Sequence, residues 1–294
     1  MQNNQKTVSQ DGSDVFQTRG FQKIDRAVNQ SIAVVKQAKL GKRNVLATSW
    51  KRLNKNLLGG LQKGKMYVIA GRPGVGKSAF SNQLIFDVLD TNKAKKLIVL
   101  YWTFEMPGYQ QVMRSASKDV KKQMSDLLSV ESPLSDIDFK TYASKVQKYG
   151  NYPIYFNNIP RTMEYIMNTN EDLFNQHPSH TVINLFDHSR LIRGNEDTEL
   201  RRLNTISKGC MWLQSKLGVI NILLSQLNRN SIGQDAHVVM ILNRPYDLYG
   251  ITESYCGEDP QGLLACHMEK NRDGLLGMIG YEADMSTFNI KERN

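Results

Sequence analysis

Gly71-Arg72-Pro73-Gly74-Val75-Gly76-Lys77-Ser78 decides how the rest of the chain is read. The octamer satisfies G-x-x-x-x-G-K-[ST] at every fixed position, the pattern of a loop that cradles phosphates. Glycines let backbone N–H groups turn inward toward the α- and β-phosphates. A lysine reaches the β- and γ-phosphates, and the following hydroxyl ligates Mg²⁺. By residue frequencies such an octamer would turn up in a random chain of this length roughly once in a hundred trials. Its surroundings make chance rarer still. Met66-Tyr67-Val68-Ile69-Ala70 is a short apolar strand just ahead of it, and Ala79 to Leu89 continues as a helix with Phe80, Leu84 and Val88 on one face. Strand, glycine-rich loop and helix are the setting the motif requires. The stretch Gly71 to Ala79 is therefore read as a nucleoside triphosphate site, with ATP and Mg²⁺ as its cofactors.

Composition frames this reading. The 294 residues suffice for one large domain or two small ones, and 40% of them are hydrophobic, enough for a core. A net charge of +10 favours a polyanionic partner, the alternative being charge kept for solubility. Cys210, Cys256 and Cys266 are few and scattered, which fits reduced thiols in a cytoplasmic protein and excludes a disulfide framework or a C-x-x-C metal site. With no run of 18 apolar residues and a polar N-terminus, neither a membrane span nor a secretory signal is expected.

Along the chain, residues 1–18 read as a disordered lead-in. Phe21, Ile24, Val28, Ile32 and Val35 then step at helical intervals, predicting an amphipathic helix that ends near Gly41. That stripe must be covered, either by its own domain or by a neighbouring subunit. Residues 42–56 read as a basic, irregular connector, so the expected organisation is a linker over 19–56 and a nucleotide-binding domain over 57–294. Leu97 to Trp102 is the next strand. It closes on Glu105, a carboxylate at the strand tip where a parallel sheet places its ligand, suited to orienting the attacking water. Helices with Ser-Pro breaks follow over 109–150. Tyr152 to Asn157 and Thr181 to Asp187 are strands, the latter an apolar run ending on an aspartate that would hold Mg²⁺ opposite Ser78. Arg190, Arg193, Arg201 and Arg202 come next, as a solvated basic face or as contacts to nucleic-acid phosphates. Gly218 to Leu224 is a buried strand leading to Gln226, placed to sense the γ-phosphate. Ala236 to Asn243, Leu263 to Glu269 and Met278 to Tyr281 complete the strands, with a basic turn at 270–274. Strands alternating with helices predict an α/β fold with a mostly parallel sheet and helices on both faces.

These motifs, in their order, resemble the C-terminal RecA-like motor domain of DnaB-type replicative helicases. Gly59-Gly60-Leu61-Gln62-Lys63-Gly64 is similar to the family's approach to the P-loop, and Phe104-Glu105-Met106-Pro107 looks like its L-E-M-P. Ser225-Gln226-Leu227-Asn228-Arg229 matches its S-Q-L-N-R, and residues 231–236 look like its S-I-E-Q-D-A. Lys270-Asn271-Arg272-Asp273-Gly274 resembles its K-x-R-N-G. The resemblance implies Glu105 as catalytic base, Gln226 as γ-phosphate sensor, and Lys270 with Arg272 as groups reaching a neighbouring subunit's ATP. It also implies a hexameric ring moving on single-stranded DNA, a linker helix docked on the adjacent protomer, and a primase or a loader as protein partners. Arg190, Arg193 and Arg229 fall in the loops that would face DNA. Three features depart from the family. The helical N-terminal domain that carries the primase platform is not expected here, which suits a compact phage-type or mobile-element version. The loops after Asp187 and Arg229 are short, and His188 stands where an aromatic is usual. The readings from other classes are a RecA/RadA-like recombinase and a non-translocating nucleotide switch or loader module.

Overall fold

The computed structural model describes residues 23–194, 196–226 and 232–293, with the backbone alone at 190 and 232. The expected lead-in over 1–18, Phe21 of the apolar stripe and Arg229 lie outside these residues. The chain divides into two compact units, Met1–Arg43 and Asn44–Asn294.

In the first unit the described element is α1 (Ile24–Lys39), with Asp25 in its first turn and Lys36 and Lys39 in its last, signs that complement the helix dipole. Its stripe is open to solvent, with Ile24 73%, Ile32 61% and Val35 65% exposed.

The second unit begins with β1 (Val45–Leu46), α2 (Lys51–Asn56), β2 (Leu61–Gln62) and β3 (Met66–Gly71), followed by α3 (Lys77–Thr91) and β4 (Leu97–Thr103). The helices α4 (Gly108–Val120), α5 (Met124–Leu128) and α6 (Asp136–Gln147) lead to β5 (Ile154–Asn157). Then come α7 (Met163–Gln176), β6 (Thr181–Asp187), α8 (Glu199–Leu217), β7 (Ile220–Gln226), α9 (Ile232–Asp235), β8 (Val238–Asn243) and α10 (Pro245–Tyr249). Three strands end the unit: β9 (Leu263–Asn271), β10 (Gly277–Asp284) and β11 (Asn289–Glu292).

Nine of these strands form one sheet in the order β11-β10-β9-β8-β3-β7-β6-β4-β5. From β8 to β5 every pairing is parallel, whereas β9, β10 and β11 extend the sheet antiparallel from one side. The expected mostly parallel sheet is thus observed. β3, β4 and β6 are buried at every position, as strands covered on both faces must be. One face carries α3 and α2, packing Trp50, Phe80, Leu84 and Tyr281 into a cluster. The other carries α7 and α8, packing Trp102, Phe186, Leu203 and Cys210. Local chemistry sets the ends of these helices. Thr162 and Thr198 accept N-cap bonds from the backbone N–H groups of Tyr165 and Arg201, and Gly218 ends α8 in the left-handed region.

Inside the second core lies a satisfied amide network. Asn184 Oδ1 accepts from Trp102 Nε1 at 3.0 Å and from Asn170 Nδ2 at 3.3 Å. Asn184 Nδ2 donates to Asn170 Oδ1 and to Asn221 Oδ1, each at 3.0 Å. The three asparagines are fully buried, so these bonds tie β4, β6, β7 and α7 together in a medium where an unmade bond is costly.

One expectation is overturned here. Residues 44–56 are not an irregular connector ahead of the domain. Trp50 and Leu53 are buried in the first core, with Trp50 stacked on Phe80 at 4.9 Å and edge-on to Tyr281 at 5.0 Å. The N–H groups of Arg52 and Leu53, in the first turn of α2, donate to the two oxygens of Glu292 at 2.8 and 3.0 Å. The lysines of this stretch disguise a segment whose apolar residues are few but deeply placed. β11 also went unforeseen, because Asn289-Ile290-Lys291-Glu292 is too short and polar to read as a strand. Gly60 shows why the turn before β3 is glycine-rich: at φ 138°, a Cβ there would lie 2.1 Å from the carbonyl oxygen of Leu46.

Candidate active site

The tips of β3, β4, β6 and β7 all open at the same end of the sheet, since these strands run parallel. That shared end brings Asp187 and Gln226, the last residues of β6 and β7, to one hollow of about 350 Å³. Its walls include Pro73, Gly74, Gly76, Lys77, Ser78 and Ala79 from the loop and α3, with Glu105, Asp187 and Gln226 facing them. The loop's turn is made by Gly74 and Gly76 at φ 77° and 104°. The space a Gly74 side chain would fill is empty, as a phosphate cradle requires. Gly71, Arg72 and Val75 do not line the hollow. Gly71 and Val75 are buried, while the Arg72 guanidinium lies 5.2 Å from the centroid of the Tyr249 ring. These three shape the loop from behind.

Lys77 opens α3 and donates from Nζ to the carbonyls of Gly71 at 2.9 Å and Arg72 at 3.0 Å, so its ammonium is held inside the loop. Burial pulls it below the usual lysine range, against the pull of the Asp187 and Glu105 carboxylates. Ser78 Oγ donates to Asp187 Oδ1 at 3.2 Å, bringing together the pair read as Mg²⁺ ligands from distant parts of the sequence. Asp187 is 3% exposed. Burial raises its pKa, and Glu105 adds to the rise, while the Ser78 bond and the nearby His188 and Arg114 lower it. A buried carboxylate with one hydroxyl partner fits a divalent cation that keeps phosphate oxygens and water as its other ligands. Among the described residues there is no cluster of three or more His, Cys, Asp or Glu able to hold a metal. Glu105 is exposed just past β4, where the Phe104 N–H donates to the Asp187 carbonyl at 2.9 Å and locks the two strand ends together. His188 also faces the hollow, its Nδ1 3.5 Å from the Leu224 carbonyl oxygen.

The structure adds residues that the sequence does not single out. Arg114 of α4 faces the hollow with its guanidinium 4.9 Å from the Phe288 ring centroid, and Arg244, Met285 and Phe288 complete the wall. Met285 and Phe288 come from the β10–β11 turn, far along the chain from the loop, and no local pattern points to them.

Lys270 and Arg272 are not at this site. Lys270 Nζ donates to the carbonyls of Gly233 and Gln234, and Arg272 donates to the latter at 3.5 Å. In register, Asn271 pairs with Val238, which pairs with Tyr67 at the start of β3. The pair thus sits at the opposite end of the sheet, about 13 Å along β3 from Gly71 at ~3.3 Å per residue. Arg193 is exposed beyond β6, its N–H donating to the Arg161 carbonyl at 2.8 Å; Arg190 follows β6 directly. No helix among the described residues is long and apolar enough to cross a membrane.

Comparison with known proteins agrees with this arrangement. One solved ATPase domain superposes with a TM-score of 0.81 at 18% identity, covering 92% of this chain and 99% of that one. A DnaB-like replicative helicase, solved in work on its interactions with primase, superposes with a TM-score of 0.78 at 18% identity, over 93% of this chain and 68% of that one. Replicative DNA helicase DnaB of Nostoc sp. is 26% identical over 58% of this chain and 19% of its own length; that of Rickettsia prowazekii is 23% identical over 94% and 65%. The chain thus spans less than two thirds of these relatives. Residues 45–231, well over half of the chain, match the family model for the DnaB-like helicase C terminal domain. The chain belongs to the family of DnaB-like helicase C-terminal domains.

Proposed function

We propose that this chain is the ATP-driven motor of a replicative DNA helicase, working in the bacterial cytoplasm as a ring, a hexamer, that moves along single-stranded DNA. The observation that carries this reading is the division of the site. Lys77, Ser78, Asp187, Glu105 and Gln226 meet at one end of the sheet, while Lys270 and Arg272 stand at the other. A single copy cannot bring both sets to one nucleotide. Copies arranged head to tail can, each completing its neighbour's site, and heterologous contacts of that kind form a ring where the rotation between copies closes.

Bound Mg-ATP supplies the transferable phosphoryl group and the charge that organises the site. Lys77 exchanges its two loop carbonyls for β- and γ-phosphate oxygens, and the Gly71–Ala79 backbone cradles them. Ser78 and Asp187 hold the cation, Glu105 takes the proton of the attacking water, and Gln226 reads the γ-phosphate from the tip of β7. Arg272, with Lys270 beside it, neutralises developing charge from the adjacent copy, a role worth several orders of magnitude in rate. The open stripe of α1 docks on an adjacent copy. Arg190, Arg193 and Arg229 grip DNA phosphates without reading sequence, and a primase or a loader engages the assembled ring.

The test is ATP turnover with and without an oligo-dT strand for wild type, Lys77→Ala and Arg272→Ala, with mass measured by light scattering in the same buffer. Stimulated turnover is expected only for wild type, on particles of hexameric mass. Mixing the two inactive variants should restore some turnover, because a mixed ring contains interfaces with both groups intact. Normal turnover by Arg272→Ala, or a monomer in the presence of ATP and DNA, would refute the shared site.

A further inference from the structure

The end of the sheet opposite the nucleotide hollow carries an excess of positive charge. Among the described residues, the segments that enter β3, β4, β5, β6, β7 and β8 from this side, with the end of β9 and the β9–β10 turn, hold Lys63, Lys65, Lys93, Lys95, Lys96, Lys270 and Arg272. Against them stand the carboxylates of Asp90, Asp235, Glu269 and Asp273; Asp90 accepts from the Tyr152 hydroxyl and Asp235 from Ser207 Oγ, each at 2.6 Å. His177, His180 and His237 lie there too. The segments at the nucleotide end mix both signs, Glu105, Glu196, Asp197 and Asp247 standing among Arg72, Arg161, Arg193 and Arg244. Several of the cations are already engaged. Lys65 is paired with Asp273, Lys95 donates to the Val45 carbonyl, and Lys270 and Arg272 bond to backbone carbonyls near α9. Lys63 and Lys96 are exposed with no partner among the described residues, and the Lys93–Asp90 contact is long, at 3.9 Å.

Lysines near helix C-termini answer the helix dipole, and α3 ends just before Lys93. That accounts for single cations, not for cations that crowd one another. Burial and then the neighbouring Lys63 charge lower the pKa of Lys95; His180 is lowered by burial, by His177 and by Lys96. The crowding surrounds a hollow of about 390 Å³ whose rim is Lys93, Lys95, Lys96 and His180 and whose floor includes Leu97, Tyr152 and Pro153. A cationic rim over an apolar, partly aromatic floor is what single-stranded nucleic acid fits, phosphates on the lysines and a base against the ring. The lysines enter beside β3 and β4, with β7 and β6 between these strands, about 15 Å at ~4.8 Å per strand, a span of a few successive phosphates.

We propose that the Lys93–Lys96 rim and its hollow, with Lys63 beside Lys95, form a second contact for a single nucleic-acid strand, at the far end of the sheet from the nucleotide and separate from the loops after β6 and β7. It rests on the reading that this chain works on nucleic acid, and adds to it a route over the outside of the ATPase core.

The test uses the full chain, a fluorescein-labelled dT oligonucleotide and anisotropy over a salt series. Lys63→Gln/Lys93→Gln/Lys96→Gln should flatten the slope of log K against log salt by about 2, near 0.7 for each single-strand phosphate that the variant no longer neutralises. At the lowest salt its affinity should fall roughly tenfold or more, while its ATP turnover without DNA and its melting temperature stay at wild-type values. A charge-matched control just past α4 and on α6, Lys121→Gln/Lys140→Gln/Lys145→Gln, should leave the slope unchanged. An unchanged slope in the rim variant, an equal loss in the control, or competition by polyglutamate as strong as by unlabelled dT would each overturn the rim as a strand site. Failure of wild type to bind any oligonucleotide would instead overturn the nucleic-acid reading itself.

Discussion

Replacing Asn184 with alanine is a severe test of how the site is held. Its side chain is fully buried, bonded to Trp102 Nε1, to both the nitrogen and the oxygen of Asn170, and to Asn221 Oδ1. Truncation orphans the Trp102 N–H and the oxygens of Asn170 and Asn221, in a place with no water to replace the amide. At ~1–3 kcal/mol for each of the three orphaned groups, the expected loss is about 3–9 kcal/mol, against a total of about 5–15 for a domain. Urea unfolding followed by tryptophan fluorescence reads this as a lower midpoint with an unchanged slope. Activity should suffer as well. Asn184 lies three residues before Asp187 on β6, and Trp102 three before Glu105, so the network fixes strands whose tips carry the two acidic residues of the hollow. A loss below about 1 kcal/mol would refute the view that these amides are costly to break. Joint replacement of Asn170, Asn184 and Asn221 by apolar residues should cost less than the single truncation if orphaned partners are the cause.

Trp50→Ala should cost about 3–5 kcal/mol, the range for emptying a buried aromatic site, because Trp50 is 3% exposed between Phe80 and Tyr281. A loss of only a few tenths in the same urea assay would return residues 44–56 to the status of a detachable connector. Asp119→Asn tests a pH effect. Burial raises the Asp119 pKa, but bonds from the Lys148 ammonium and the Tyr149 hydroxyl, at 2.7 Å for the latter, outweigh it and hold the carboxyl below the usual range. A lowered folded-state pKa means stability that is present above the ordinary carboxylate range and lost as pH falls through the lowered value. The variant should therefore melt earlier than wild type at neutral pH and converge with it toward about pH 3; parallel melting curves across that span would refute the pairing.

The parts that were legible in the sequence are those specified by contiguous residues. The octamer at 71–78, the strand ending on Asp187 and the alternation of buried strands with helices are each written in short local stretches, and the fold and most of the nucleotide hollow follow from them. What escaped is built from distant partners. Arg114 and Phe288 meet across the hollow from α4 and the β10–β11 turn, and neither has a neighbour that marks it. Trp50 and Leu53 were hidden because two apolar residues among lysines and asparagines carry no periodicity. Lys270 and Arg272 were singled out by resemblance, and only the antiparallel register of β9 on β8 shows that they stand away from their own chain's loop.

The clasp between Glu292 and the first turn of α2 joins residues 240 apart in sequence. Synthesis runs from α2 toward β11, so a nascent chain carries α2, the P-loop and most of the sheet before the residue that caps α2 exists. Tyr281, the third ring beside Trp50 and Phe80, also comes late. Until β10 and β11 leave the ribosome, Trp50 and Phe80 have no lid on that side. During this interval the unfinished domain displays an aromatic surface, of the kind that chaperones bind and that premature partners would seize. The nucleotide hollow, whose wall needs Met285 and Phe288, is finished in the same late step. A truncated product would thus be recognisable as unfinished at the very place where it would otherwise bind fuel.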